Sequence, residues 1–196
     1  MSVHDTKNIT QFWNNHPNRV YLRDKVYPKL GAFLRNQSTQ NVCEIGAEYY
    51  NKNIIDYYKT PNICLWVIDK FSDLSKEMNN HRYLLCPFEK LLVKYPGMMK
   101  KFNLINSVDV IFDVPLTFTE KREYLNTVHS LLMPNGIFYV TVPLKGHDYK
   151  GLTLEDRELL FSKFELSNRV PGIPSYTISP PHDNEKEFYV LQRSKK

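Results

Sequence analysis

Residues 42–46 read Val-Cys-Glu-Ile-Gly, a short, mostly apolar run that ends in an acid, an apolar residue and a glycine. A short run of this kind, ended by a turn residue, fits a strand buried on both faces. The theme recurs outward from it. Ile63–Ile68 (ICLWVI) predicts a second strand, Tyr83–Leu85 a weaker third, Val108–Phe112 (VDVIF) a fourth and Ile137–Val142 (IFYVTV) a fifth. The segments between them are polar or helical. In Thr119–Met133, the clearest case, Tyr124, Leu125, Val128, Leu131 and Leu132 line one helical face. Strands that are apolar nearly throughout, alternating with helices, predict a parallel sheet covered on both sides, a doubly wound α/β fold.

Upstream, Leu22, Val26, Leu30, Phe33 and Leu34 recur at helical steps, with Pro28 expected to kink or split the helix. Residues 1–36 are expected to be an N-terminal helical lead-in to one domain spanning residues 1–196. Downstream, a short helix (Leu154–Phe161) precedes two further strands, Phe164–Val170 and Glu187–Gln192, with loop chemistry (PGIPSYTISPPHDNEK) between them. Strands joined without a crossover helix pair antiparallel if they pair at all.

With 196 residues, 42% hydrophobic and 24% charged, the chain has the balance of a single globular domain, which excludes a disordered tail protein. It has no apolar run near the roughly 20 residues that cross a bilayer and no hydrophobic signal stretch, so a soluble, cytoplasmic protein without membrane insertion is expected. Cys43, Cys64 and Cys86 are too few and too widely spaced for a disulfide framework or a zinc site, and are read as buried strand thiols. The net charge of +5 raises the question of nucleic acid. The excess lies in Arg193, Lys195 and Lys196 and in the pair Lys100–Lys101, which read as solvated ends, so a nucleic-acid partner is disfavoured.

Open parallel sheets bind ligands outside the carboxyl ends of their strands, where the strand order reverses. That rule selects Glu44, Gly46, Ala47 and Glu48 after the first strand, Asp69 after the second, Asp113 after the fourth, and Lys145, His147 and Asp148 after the fifth. An acid at the end of the second strand suits the hydroxyls of a ribose, and a glycine after the first admits close approach. The pair points to an adenosine-type cofactor. The turn GAEYYN has one glycine and a carboxylate where a pyrophosphate would be repelled, which disfavours a dinucleotide. Plainer roles stand beside these: Glu44 as a cap for turn amides, Asp69 as the N-cap of a helix starting near Ser72, Asp113 as a turn residue, and His129 as a structural side chain.

These residues resemble the class I S-adenosylmethionine-dependent methyltransferases. VCEIGAEYY is similar to the first motif of that family and LWVIDK to the second, with Asp69 in the ribose-binding place. VDVIFD, followed by HSLLMPNGIFYVTVP, is similar to the fourth strand, helix and fifth strand, and EFYVLQRSKK to the last antiparallel strand. The resemblance implies a doubly wound, mostly parallel seven-stranded sheet with an antiparallel last strand. It implies S-adenosylmethionine as cofactor, held by Glu44, Gly46, Ala47, Glu48, Tyr49 and Asp69. EIGAEYYN is further similar to the first motif of small sugar O-methyltransferases of large algal DNA viruses, which implies glycan modification and a viral protein. Where the family has two or three glycines, this chain has Glu48 and Tyr50.

A sulfonium cation is favoured by carboxylates and aromatic faces, which Glu44, Glu48, Tyr49 and Tyr50 supply. Methyl transfer to a hydroxyl also needs a base, for which Asp113 comes first and His147 second, with His182 third. The resulting reading is methyl transfer to a hydroxyl of a small molecule, sugar or glycan. Several members of the family place a divalent ion at the acceptor, and the resemblance makes Asp113 and Asp148 the candidate ligands. The rivals are a fold relative that has lost catalysis and serves as a binding or regulatory subunit, and a nucleic-acid methyltransferase.

Overall fold

The computed structural model describes residues 20–35, 38, 40–46, 58, 61–69, 82–108, 110–112, 116–143, 152–178 and 186–194. Eight strands form one sheet: β1 (Gln40–Ile45), β2 (Ile63–Asp69), β3 (Arg82–Leu85), β4 (Phe102–Ser107), β5 (Leu132–Pro143), β6 (Phe164–Leu166), β7 (Tyr176–Ile178) and β8 (Lys186–Arg193). Their order is β3-β2-β1-β4-β5-β8-β6, with β7 also paired to β8. The strands from β3 to β5 are mutually parallel, and β8 runs antiparallel to β5, β6 and β7. The order reverses between β1 and β4, so the switch point lies at their carboxyl ends.

Period-two alternation feeds two cores. Val42, Leu65, Val67, Leu104 and Tyr139 project to one face, beneath Leu22, Val26, Leu30 and Leu34. Cys43, Ile45, Trp66, Ile68, Ile105, Phe138 and Val140 project to the other, beneath Leu125, Val128 and Leu131. Burial on both faces explains why the strands read as continuous apolar runs.

The first helical stretch is a π-helical turn, Leu22–Val26, leading into α1 (Tyr27–Arg35). Pro28 causes the widening. Its ring crowds the carbonyl four residues back, and the preceding N–H, that of Tyr27, reaches Leu22 O instead. The helix is neither broken nor sharply ended by Pro28. On the other face lie α2 (Leu91–Lys94), α3 (Phe118–Leu131) and α4 (Leu154–Leu160). Both α3 and α4 begin with a capping box, Thr117 with Glu120 and Thr153 with Asp156.

Four expectations need correction. The fourth strand is Phe102–Ser107, and Val108 and Val110–Phe112 lie outside it, Ile111 and Phe112 in a turn and buried in the α3-side core. The polar residues of FNLINS are absorbed: Asn103 Oδ1 accepts the Asn41 N–H at 2.9 Å, and Asn106 is bonded beneath the sheet. The segment 164–170 is a strand only to Leu166, and the loop after it contributes β7, so among the described residues the sheet has eight strands where seven were expected. Cys86 follows β3 instead of lying in it, and Cys64 is only half-buried. Arg193 is no solvated end, because its guanidinium donates to Leu132 O at 2.8 Å, and Lys101 Nζ sits 4.6 Å from the centre of the Trp66 ring.

Among the described residues no helix is long and apolar enough to cross a membrane.

Candidate site at the switch point

β1 and β4 lie side by side with Glu44 opposite Asn106. Both side chains project to the α1 face, where they are buried. Asn106 Nδ2 donates to Glu44 Oε2 at 3.0 Å and to the hydroxyl of Tyr58 at 2.9 Å. The amide thus ties the end of β1 to the covering layer. Burial, with the Glu44 charge as second cause, pushes the Tyr58 phenol up, and the same two causes raise the Cys43 thiol. Neither ionises at neutral pH. Asn106 Oδ1 is also buried and accepts no hydrogen bond. A carboxylate and an orphaned amide oxygen therefore sit together at the switch point, two acceptors in a place that has already lost water.

Gly46 follows with φ +70, a left-handed conformation that glycine adopts without strain. Its N–H donates to Ile68 O at 2.9 Å, which carries the ladder to the end of β2. A Cβ on Gly46 would lie 2.6 Å from Val110 Cγ2. The close approach that this glycine permits is made by Val110, from the turn after β4. Asp69 ends β2 on the same face as Glu44 and is 4% exposed; its carbonyl accepts the Cys86 N–H at 2.8 Å. On the opposite face, Ser107 Oγ and Tyr124 Oη are 3.2 Å apart at the end of β4, with the Tyr124 ring stacked on Phe88 at 4.2 Å.

Of the residues selected from sequence, Glu44 and Asp69 lie near the carboxyl ends of β1 and β2 on one face, and Gly46 follows β1. Ala47, Glu48, Tyr49, Asp113 and His147 lie outside the described residues, as do Asp148 and His182. His129 packs edge-to-face on Phe164 at 5.7 Å, and burial, then Arg193 and Lys163, lower its pKa, which fits a structural side chain. Sequence reasoning missed Asn106 and Tyr58. Two asparagines inside the otherwise apolar FNLINS were the available signal for the first; nothing in the sequence marked Tyr58. It also missed a second polar cluster at the end of β5, formed by Arg157, Tyr176, Glu187 and Tyr189. Among the described residues no group of three or more His, Cys, Asp or Glu could hold a metal ion.

The switch-point groups are acceptors, of the kind that a cationic, ribose-bearing cofactor would need. The orphaned Asn106 oxygen and the Glu44 carboxylate would meet an ammonium group, and Asp69 would meet ribose hydroxyls.

No protein family's sequence profile and no curated protein sequence matches the chain. Solved structures do. A carbon methyltransferase of CurJ superposes with a TM-score of 0.67 at 13% identity, covering 98% of this chain; the chain spans only 59% of that protein. The 1,6-didemethyltoxoflavin-N1-methyltransferase of Burkholderia thailandensis, solved with S-adenosylhomocysteine, gives 0.61 at 15% identity, covering 100% of this chain and 92% of the other. The [4+2]-cyclase SpnF gives 0.58 at 9% identity, covering 85% and 80%. Such identities speak for architecture and not for activity, as a cyclase among methyltransferases makes plain. The strand order, the antiparallel β8 and these superpositions together show that the chain has the class I S-adenosylmethionine-dependent methyltransferase fold.

Proposed function

We propose that this protein is an S-adenosylmethionine-dependent methyltransferase acting on a hydroxyl, that of a sugar or glycan. The observation that carries the cofactor half is the acceptor pair at the switch point, the Glu44 carboxylate beside the orphaned Asn106 Oδ1, with Asp69 at the next strand end. Cationic and hydroxyl-bearing parts of a ligand gain there, whereas a phosphate would be repelled. The bound cofactor supplies a methyl group made electrophilic by its sulfonium. Glu44 and Asn106 would hold the ammonium end, and Asp69 would fix the ribose, which together set the direction from which an acceptor must approach. Asp113, with His147 as second choice, is assigned the proton of the acceptor hydroxyl. Sugar specificity rests on the resemblance of EIGAEYYN, and the protein would be a viral, cytoplasmic one on the same footing.

A catalytically degenerate binding subunit is the second reading. One observation favours it: the space beside the single glycine of the first turn is taken by Val110. Calorimetric titration with S-adenosylhomocysteine decides between them. The enzyme reading expects saturable binding that weakens in Glu44→Gln and Asp69→Ala; absence of binding at millimolar ligand leaves only the degenerate one. Methyl transfer from labelled S-adenosylmethionine to glycosides, measured against RNA and DNA, then tests the acceptor.

A further inference from the structure

Assigning Glu44, Asn106 and Asp69 to the cofactor leaves the polar cluster at the end of β5 without a role. Glu187 stands opposite Val142, and Lys186 opposite Pro143, the last residue of β5, so β8 begins at the carboxyl edge of the sheet. On the other side of β8, Tyr176 lies opposite Tyr189 and Ile178 opposite Glu187. These four side chains share the α4 face.

Both oxygens of Glu187 are in use. Oε1 accepts from Tyr176 Oη at 2.9 Å, and Oε2 accepts from Tyr189 Oη at 3.1 Å and from Arg157 Nη1. The guanidinium and the carboxylate cancel, so the cluster carries no net charge. Burial, then the Glu187 charge, pushes the Tyr189 phenol up to about 12, and burial also raises Tyr176, so both keep their protons at neutral pH. Those protons are committed to Glu187. Tyr189 is half-buried, whereas Tyr176 is 39% exposed and Ile178 beside it 50%. What Tyr176 presents outward is a ring face and an oxygen that can only accept. Ring contacts run back from it to the switch point: Tyr176–Tyr189 at 5.2 Å, Tyr189–Phe161 at 5.4 Å and Phe161–Phe112 at 5.9 Å.

We infer that Tyr176, oriented by Glu187, is an acceptor subsite for a neutral polyhydroxylated ring, whose hydroxyl donates to Tyr176 Oη while its C–H face lies on the Tyr176 ring and Ile178. The subsite rests on the methyl-transfer reading and names the part of the acceptor it would seat. An anion finds no net positive charge there and an ammonium no net negative one. A ring without a donor leaves the phenol oxygen unmatched.

The test is an NMR titration of protein carrying labelled tyrosine, with and without S-adenosylhomocysteine, using methyl α-glucopyranoside and adenosine 5′-monophosphate as probes. The glycoside is expected to shift the Tyr176 ring signal. Tyr176→Phe should weaken its binding roughly threefold to tenfold, the loss of one neutral hydrogen bond, and Tyr176→Ala should abolish it. A glycoside that leaves the Tyr176 signal unmoved, or binds Tyr176→Ala as it binds the wild type, overturns the subsite. So does a nucleotide that shifts Tyr176 at lower concentration than the glycoside. S-adenosylhomocysteine binding, read on the same samples, separates the two failures. Its absence from the wild type removes the methyl-transfer reading, whereas equal binding in all three proteins with no glycoside effect removes the subsite alone.

Discussion

Gly46→Ala puts the geometry of the switch point under a measurable load. A non-glycine residue at φ +70 costs about 1 kcal/mol or somewhat more. The new Cβ would stand 2.6 Å from Val110 Cγ2 and 3.4 Å from Cγ1, so either the valine turns away or the turn after β4 moves off β1. Forcing a methyl into a packed site costs about 1–3 kcal/mol, which brings the expected loss to roughly 2–4 kcal/mol. The two contributions separate in a double-mutant cycle. Val110→Ala alone removes packing from a half-buried side chain. In the double variant the clash is gone and only the backbone strain remains, so the coupling should recover about 1–3 kcal/mol. Urea unfolding of the four proteins reads the cycle, and S-adenosylhomocysteine titration reads whether the edge has moved. A loss below about 0.5 kcal/mol in Gly46→Ala, or no recovery in the double variant, would refute the argument, since additivity is the mark of sites that do not touch.

Asn106→Leu keeps the branched outline but removes the donor to Glu44 and Tyr58; leaving a buried carboxylate short of a partner should cost about 2–3 kcal/mol in urea unfolding and weaken S-adenosylhomocysteine binding. Glu187→Gln strips the Arg157 guanidinium of its counter-charge where both side chains are largely buried, and a loss of about 3 kcal/mol is expected, against less for the double replacement of Arg157 and Glu187 by apolar residues. Thr117→Ala removes the N-cap of α3 and should cost about 1 kcal/mol by thermal unfolding. The Glu120 carboxyl is held below its ordinary value by the side chain and then the backbone N–H of Thr117. Its contribution is therefore present above the unfolded-state pKa and lost as pH falls through the lower folded one, so Glu120→Gln should flatten the acid limb of the stability profile below about pH 4.5.

Where the sequence was readable, a single physical signal pointed one way. β1, β2 and β5 are buried on both faces, and their unbroken apolar runs have no other economical explanation. Glu44 and Asp69 could be singled out because a carboxylate at the end of such a run has no core partner to expect. The antiparallel sense of the β6–β8 pair followed from the missing crossover helix. The π-helical turn before Pro28 was not readable, since a proline allows a kink, a break or a widened turn, and only packing of Leu22 and Val26 against the sheet selects among them.

Strand four shows why local propensity fails at a site. VDVIF is the better strand by composition, and FNLINS carries two asparagines that count against it. Burial reverses the order: Ile111 and Phe112 find their place in the α3-side core from a turn, while Asn106 is tolerated inside the sheet because Glu44 and Tyr58 take its N–H groups. The misplacement also changes the functional argument. With β4 ending at Ser107, the side chain that stands beside Glu44 at the switch point is Asn106, and Phe112 lies in a turn instead of closing a strand. A buried asparagine with an unmatched oxygen is poor core material but a good ligand contact. The residue that weakened the strand in sequence is thus the one that best accounts for the site, as expected where local preference is overruled for function.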